Sequence, residues 1–331
     1  MKLCSFSLDG KDGVGVVSAD GAYLRRLAGV RDMMEIIEGD GEALRAVREA
    51  SEQFDESAGR LPIASVVLEP PVRRPSKIVC LALNNSANAD RMMKGPSHPA
   101  MFIKPASALL GSGGDIQCRP EYGRTHPEPE LAVIIGRGGK DIAVEDAYGH
   151  VFGYTVHNDI TGATMRGEDT FREDTFHYRA IHPRSAESIE VEYVDTWTSY
   201  PGRYKGADTF ACMGPWLVTR DEIPDPHALD ISCSHKGQVV TSDNTVNLTF
   251  KTPEVIAFVS RYMTLWPGDI ILLGTALRKS GSSSGGAVQN IDLLRMGGPV
   301  SVSIQGIGTL SNGVVVLPDV STPAELAEAA R

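Results

Sequence analysis

The sequence predicts a strand-rich α+β fold, a large mixed β-sheet roll preceded by a small N-terminal domain. Three observations predict it. Short β-branched apolar segments recur between Gly, Pro and Asp punctuation along most of the chain. Few stretches carry a helical hydrophobic period. No glycine-rich turn opens a helix: Gly111, Gly113 and Gly114, and Gly136, Gly138 and Gly139, do not form G-x-G-x-x-G, and no G-x-x-x-x-G-K-[ST] occurs, so a nucleotide-binding fold lacks its phosphate cradle.

Residues 1–70 read as the small N-terminal domain, with alternating segments at 1–7 and 14–18 and a helix near 41–50 that places Ala43, Leu44, Val47 and Ala50 on one face. The stretch 69–75 (EPPVRRP) holds three prolines, the composition of an extended connector, and sets the boundary there. Strand-like runs follow at 77–83, 100–103, 131–135, 151–156, 215–219, 270–273, 299–304 and 313–317. The clearest helix is 253–263. Thr252 is placed to cap it, Pro253 suits the first helical position, Glu254 complements the dipole, and Val255, Ile256, Val259, Tyr262 and Met263 form an apolar stripe suited to a core. The segment 280–286 (SGSSSGG) has the composition of a flexible loop, and no internal repeat occurs.

At 331 residues, with 42% hydrophobic and 22% charged residues, the chain has the balance of a folded globular protein. A net charge of -10 without long basic clusters argues against a nucleic-acid partner. Cys4, Cys80, Cys118, Cys212 and Cys233 are scattered without a C-x-x-C pair, which fits a reducing, cytoplasmic setting and excludes a disulfide framework or thiolate zinc site. No apolar run reaches the roughly 20 residues that span a bilayer, and the N-terminus lacks the apolar core of an export signal.

The chemistry concentrates in carboxylates. In 126–136 (HPEPELAVIIG), Glu128 and Glu130 stand two apart at the mouth of an apolar strand and so point to one face; Pro127 and Pro129 suit a strand beginning or edge. In 151–162 (VFGYTVHNDITG), Asp159 closes a second apolar run. Three such carboxylates, completed by water, suit magnesium or manganese; a solvated strand edge and a turn residue are the competing reading. His126 and His157 flank the carboxylates but lack a partner histidine at ligand spacing, which favours supporting roles over ligation.

Beyond these local readings, the chain from 75 to 316 resembles the catalytic domain of the fumarylacetoacetate hydrolase family. The matching stretches, in order, are 77–85 (KIVCLALNN), 101–116 (MFIKPASALLGSGGDI), 126–136, 151–159, 204–223 (YKGADTFACMGPWLVTRDEI), 235–245 (HKGQVVTSDNT), 258–276 (FVSRYMTLWPGDIILLGTA) and 306–314 (GIGTLSNGV). The resemblance implies a catalytic domain over 75–318 with a C-terminal tail at 319–331. It also implies a magnesium or manganese ion on Glu128, Glu130 and Asp159, a small anionic substrate and a homodimer. Lys205 becomes the active-site lysine of a G-K-x-x-D segment, with Tyr204 in the glycine's place. Asp208 of that segment and Thr275 become substrate-binding, and 85–97 (NSANADRMMKGPS) occupies the position of a lid.

Two departures bear on the chemistry. Hydrolytic members carry N-Y-x-x-H-x-x-E in the lid, whereas Asn88 stands here for the histidine and Arg91 for the glutamate. Neither an amide nor a guanidinium accepts a proton near neutral pH, so the usual water-activating base is absent, and Asn88 and Arg91 are left as catalytic and substrate-contacting candidates. A substitute base would have to come from His98, Asp90 or His177. After Asp159 the family reads N-D-V-S-A-R-D-x-Q; here it is Asn158 to Arg166 (NDITGATMR), followed by a long polar stretch, 167–202, that either reshapes the pocket or is surface loop.

The expected activity is a divalent-metal-dependent hydrolase or lyase acting on a C–C bond of a 2-oxo or β-diketo acid, with decarboxylation or tautomerisation gaining weight from the missing dyad. The alternatives are a dehydratase or hydratase of a 2-oxo-3-deoxy sugar acid, and a non-catalytic small-acid-binding protein.

Overall fold

The computed structural model describes residues 1–39, 41–52, 54, 59–91, 96–179, 190–277 and 287–319. Its large sheet runs in the order Arg60–Pro62, Tyr23–Arg26, Lys11–Val17, Lys2–Leu8, Ala211–Thr219, Val151–Asp159, Pro129–Ile135, Ile270–Leu272, Ile78–Ala82, Ala100–Lys104. Neighbours are antiparallel except Ile270–Leu272 beside Ile78–Ala82. A second sheet, in the order Gln238–Asn244, Asp230–His235, Val300–Ile304, Gly308–Val316, Asp115–Cys118, packs on the middle of the first. The run at 77–83, and each apolar run listed after it in the sequence, lies in one of these strands or extends into one.

The central strand Pro129–Ile135 is buried along its whole length. Its alternation divides two cores: Leu131, Val133 and Ile135 join the cluster containing Ile231, Val302 and Leu310 of the second sheet, while Ala132 and Ile134 join Met33, Ile36, Val47 and Phe54 on the other face. A strand covered on both sides reads as a continuous apolar run, as ELAVIIG does. Pro129 begins this strand inside the sheet, so the proline marks a beginning and not an edge.

The strands of the N-terminal segment join the large sheet. Lys2–Leu8 pairs with Ala211–Thr219, with Leu3 opposite Leu217, so the strands of 1–70 continue the large sheet and the proline-rich connector joins two parts of it. Residues 320–331 of the expected tail lie outside the described residues. The helix expected at 253–263 is Thr252–Tyr262, with Lys251 and not Thr252 at its N-cap; the Glu254 carboxylate accepts the Lys251 amide, and Thr252 Oγ1 turns instead to His227. Val255, Ile256 and Val259 are buried as expected, but Tyr262 is 63% exposed because the stripe runs off the packed face at the last turn. The stretch 167–202, whose sequence suits either a reshaped pocket or surface loop, contains a two-stranded ribbon, Thr170–Arg179 against Glu190–Ser199.

Asp269 ties the starts of the two parallel strands together. It is fully buried and accepts hydrogen bonds from Ser76 Oγ (2.5 Å) and the amides of Lys77 (3.2 Å) and Trp266 (2.7 Å), and it pairs with Lys77 Nζ at 2.5 Å. Removing one partner of a buried ion pair strands the remaining polar groups, so Asp269→Ala is expected to cost about 3–5 kcal/mol of stability, whereas Arg295→Ala, which removes the exposed partner of Asp292, costs below about 1 kcal/mol. Urea unfolding of the two variants checks this.

Candidate functional site

Glu128, Glu130 and Asp159 meet at one end of the two central strands. Register brings Pro129 opposite Asn158 and Glu130 opposite His157, and the Asp159 amide donates to the Glu128 carbonyl at 2.8 Å. The three carboxylates place one oxygen each within 4.8 Å of one another. The loop after Ile270–Leu272 closes over them. The Gly274 amide donates to Glu130 Oε2 (3.0 Å), and Thr275 Oγ1 lies 2.8 Å from Glu128 Oε2 and 3.1 Å from Glu130 Oε1. Gly274 has φ +96° and a Cβ there would lie 2.9 Å from Asn84 Cβ, so only glycine lets the loop approach this closely.

Two lysines answer the negative charge. Lys205, on the short helix Gly202–Gly206, places Nζ 2.6 Å from Asp159 Oδ2 and 2.9 Å from Glu128 Oε2. Lys104, at the end of Ala100–Lys104, is fully buried; its Nζ lies 2.5 Å from Asp159 Oδ1 and also contacts the Lys205 carbonyl. One lysine therefore fixes both a carboxylate and the helix that carries the other lysine. Lys104 was not singled out from sequence, although a lysine closing an apolar strand (AMFIK) is a visible signal.

The electrostatics favour a cation. Burial, reinforced by Asp159 and Glu128, raises the Glu130 carboxyl well above the usual carboxylate range. Burial also works against an ionised Glu128, but the charges and hydrogen bonds of Lys205 and His126 together outweigh it and hold that carboxyl low. Burial disfavours an ammonium at Lys205 as well, yet Asp159 and Glu128 raise its pKa overall. Three carboxylates in this space cannot all ionise beside only two ammonium groups without strain; a hard divalent ion, with oxygen donors at the right spacing, relieves it. The donor set fits such an ion.

Two histidines adjoin this cluster. His126 Nε2 lies 3.2 Å from Glu128 Oε1. His157 is fully buried with no hydrogen-bond partner on either ring nitrogen, and burial lowers its pKa to about 3, so it is neutral.

A cavity of about 330 Å³ opens above the cluster. Asn88, Lys205 and Thr275 line it as expected, with Glu128 and Asp159 on its floor and Phe102, Met101, Leu81, Leu277 and Val288 on its apolar walls. Asn84 and Asn85 hold the entry loop: Asn84 Nδ2 donates to the Phe250 and Leu273 carbonyls, and Asn85 Nδ2 to Asp243 Oδ2. This places Asn88, in the 3-10 turn Ser86–Arg91, at the rim. Asp208 is not among the lining residues. The helix ends at Gly206 and Ala207 is extended, which turns Asp208 out to solvent and away from the lining. His98 stacks on Phe258 and does not line this cavity. The side chains of Asp90, Arg91 and His177 lie outside the described residues. The base of the 167–202 stretch reaches the cavity through Ser199 and Pro201, and Arg166 and Tyr204 line it too; none of these four was picked out from sequence as a site residue.

Residues 77–315 match the family model for the fumarylacetoacetate (FAA) hydrolase C-terminal domain. The chain belongs to the fumarylacetoacetate hydrolase family. It is 33% identical over 290 residues to the bovine (Bos taurus) oxaloacetate tautomerase FAHD2A, mitochondrial, covering 86% of this chain and 80% of that protein. Among solved structures it is similar to maleylpyruvate hydrolase from Sphingobium sp. SYK-6 in complex with manganese (II) ion and pyruvate, with TM-score 0.68, 28% identity and coverage of 96% and 99%. It is also similar to 5-carboxymethyl-2-hydroxymuconate delta-isomerase from Mycobacterium smegmatis, with TM-score 0.67, 25% identity and coverage of 96% and 100%. The family's mixed-sheet fold is therefore the fold of this chain. All five cysteines are free and buried, and no helix among the described residues is long and apolar enough to cross a membrane.

The raised Glu130 pKa sets the pH dependence of metal binding. A proton on Glu130 competes with the ion, so affinity falls as pH is lowered, starting above the ordinary carboxylate pKa of about 4.3. Calorimetric titration with Mn²⁺ is expected to show this loss, together with proton release on binding. Glu130→Gln is expected to weaken Mn²⁺ at neutral pH by at least about tenfold and to flatten the pH dependence.

Proposed function

We propose that the chain is a divalent-metal-dependent enzyme of 2-oxo acids whose chemistry is enolate formation, with keto–enol tautomerisation of an oxaloacetate-type acid as the reaction. The observation that carries this reading is the make-up of the cavity wall. The described lining residues include Glu128, Asp159 and Lys205, but no imidazole and no further carboxylate. Asn88 stands at the rim where a water-activating histidine would be needed, and an amide cannot fill that role. Hydrolysis needs an activated water. Tautomerisation needs only a proton moved between C3 and the oxygen on C2.

Glu128, Glu130 and Asp159 would hold a magnesium or manganese ion, which when bound polarises the 2-oxo group and stabilises negative charge on its oxygen. Counting the ion with three carboxylates and two ammonium groups leaves the floor one unit positive, which favours a ligand that brings an anionic carboxylate. Lys205 Nζ, on the cavity floor, steadies charge on the C2 oxygen and would carry the proton, its ammonium giving one to C3 as it takes up the one leaving that oxygen. Lys104 keeps Asp159 and the Lys205 helix in place from behind. The apolar walls exclude water from the carbon that gains or loses its proton. The bovine relative named as an oxaloacetate tautomerase supports this choice over C–C hydrolysis. The structure of the Sphingobium hydrolase with manganese (II) ion and pyruvate supports the ion and the 2-oxo-acid class. The homodimer belongs to the same proposal.

Ultraviolet monitoring of the enol-to-keto conversion of oxaloacetate tests the reading. Metal-dependent acceleration is expected, with EDTA abolishing it and Lys205→Met lowering kcat by about 10²–10³-fold while Mn²⁺ binding persists. Acylpyruvate cleavage without oxaloacetate tautomerisation would return the hydrolase to first place.

A further inference from the structure

Arg166 stands apart from the other charged groups of this region. The short helix Ala163–Glu168 carries it into the cavity lining, on the same side of the helix as Ala163, one turn earlier. The adjacent acids are already taken: Arg203 Nη2 pairs with Glu168 Oε2 at 2.7 Å and with Asp169 Oδ1 at 2.8 Å. Among the described residues the Arg166 guanidinium has no carboxylate partner, and its own carbonyl is engaged by Thr170 Oγ1. Arg166 is exposed and lines the cavity, so its guanidinium, engaged by no acid among the described residues, is open to an incoming anion.

The cavity thus presents two kinds of anion-binding group. The floor holds Glu128, Asp159 and Lys205, and the lining also includes Arg166, while Leu81, Met101, Phe102 and Val288 supply apolar surface. The volume of about 330 Å³ suits a small molecule and no more. We infer that Arg166 binds the second carboxylate of a dicarboxylic 2-oxo acid, and that it makes the site selective for diacids over acids with an uncharged tail. This rests on the reading of the floor as a 2-oxo-acid site. Arginine matches a carboxylate with two parallel N–H donors, so the distal carboxylate gains a charge-assisted bidentate contact that an uncharged tail cannot make.

The test is calorimetric binding to Mn²⁺-loaded wild type, Arg166→Gln and Arg166→Lys, using oxalate, 2-oxobutanoate, oxaloacetate and 2-oxoglutarate. Oxalate and 2-oxobutanoate probe the floor alone. Loss of one charge-assisted pair predicts that Arg166→Gln weakens the better-binding diacid about 10- to 100-fold and leaves the other two probes within about twofold, with Arg166→Lys between. Equal weakening of all four, or unchanged diacid affinity beside intact oxalate binding, overturns the assignment of Arg166 and leaves the floor reading standing. Failure of all four to bind metal-loaded wild type overturns the floor reading and the assignment with it.

Discussion

The mutual repulsion of three carboxylates in one buried place organises this end of the molecule. Glu128, Glu130 and Asp159 approach within 4.8 Å, and the surroundings are arranged to make that tolerable. Lys205 bridges two of them, Lys104 holds Asp159 from the protein side, and the Gly274 amide and Thr275 hydroxyl donate to the glutamates. Glu130, opposed by burial and by both neighbours, has no lysine of its own. The cluster is one cation short, and that deficit is what a divalent ion meets.

The fold delivers these groups through sheet register. Glu130 faces His157 across the central antiparallel pair, so the Glu128–Glu130 segment and Asp159 arrive at the same level. The parallel neighbour Ile270–Leu272 then brings Gly274 and Thr275 over the top, and Ile78–Ala82 leads to Asn84 and Asn85, which fix the rim. Because both faces of the central strand are packed, a one-residue slip would exchange its two cores, so the position of the carboxylates is held by the whole interior.

The central strands and the triad were legible in the sequence because each is a local pattern: a buried strand is an apolar run, and a carboxylate at its end interrupts that run. What escaped depends on contacts between distant residues. Nothing local in Lys2–Leu8 says that it pairs beside Leu217, so the N-terminal segment reads as separate when its strands extend the sheet. Lys104 reads as a strand-end lysine and acquires meaning only through Asp159 and the Lys205 helix. Arg166 lies in a helix too short to show a period, and its lining position follows from where that helix packs. Asp208, which the motif spacing suggested as a site residue, follows the end of the helix carrying Lys205 and is exposed. The ribbon 170–199 was overlooked because its polar residues masked the alternation in EVEYVDTW.

On the proposed reading the site binds a small acid over a metal ion, and its described lining lacks the base that hydrolysis requires. Solvent deuterium exchange at C3 of oxaloacetate, followed by proton NMR with and without Mg²⁺, tests this most directly. The account predicts metal-dependent exchange above the uncatalysed rate, with carbon skeleton intact, and its loss in Glu130→Gln. Exchange no faster than in buffer, by a protein that still binds Mg²⁺, would contradict it.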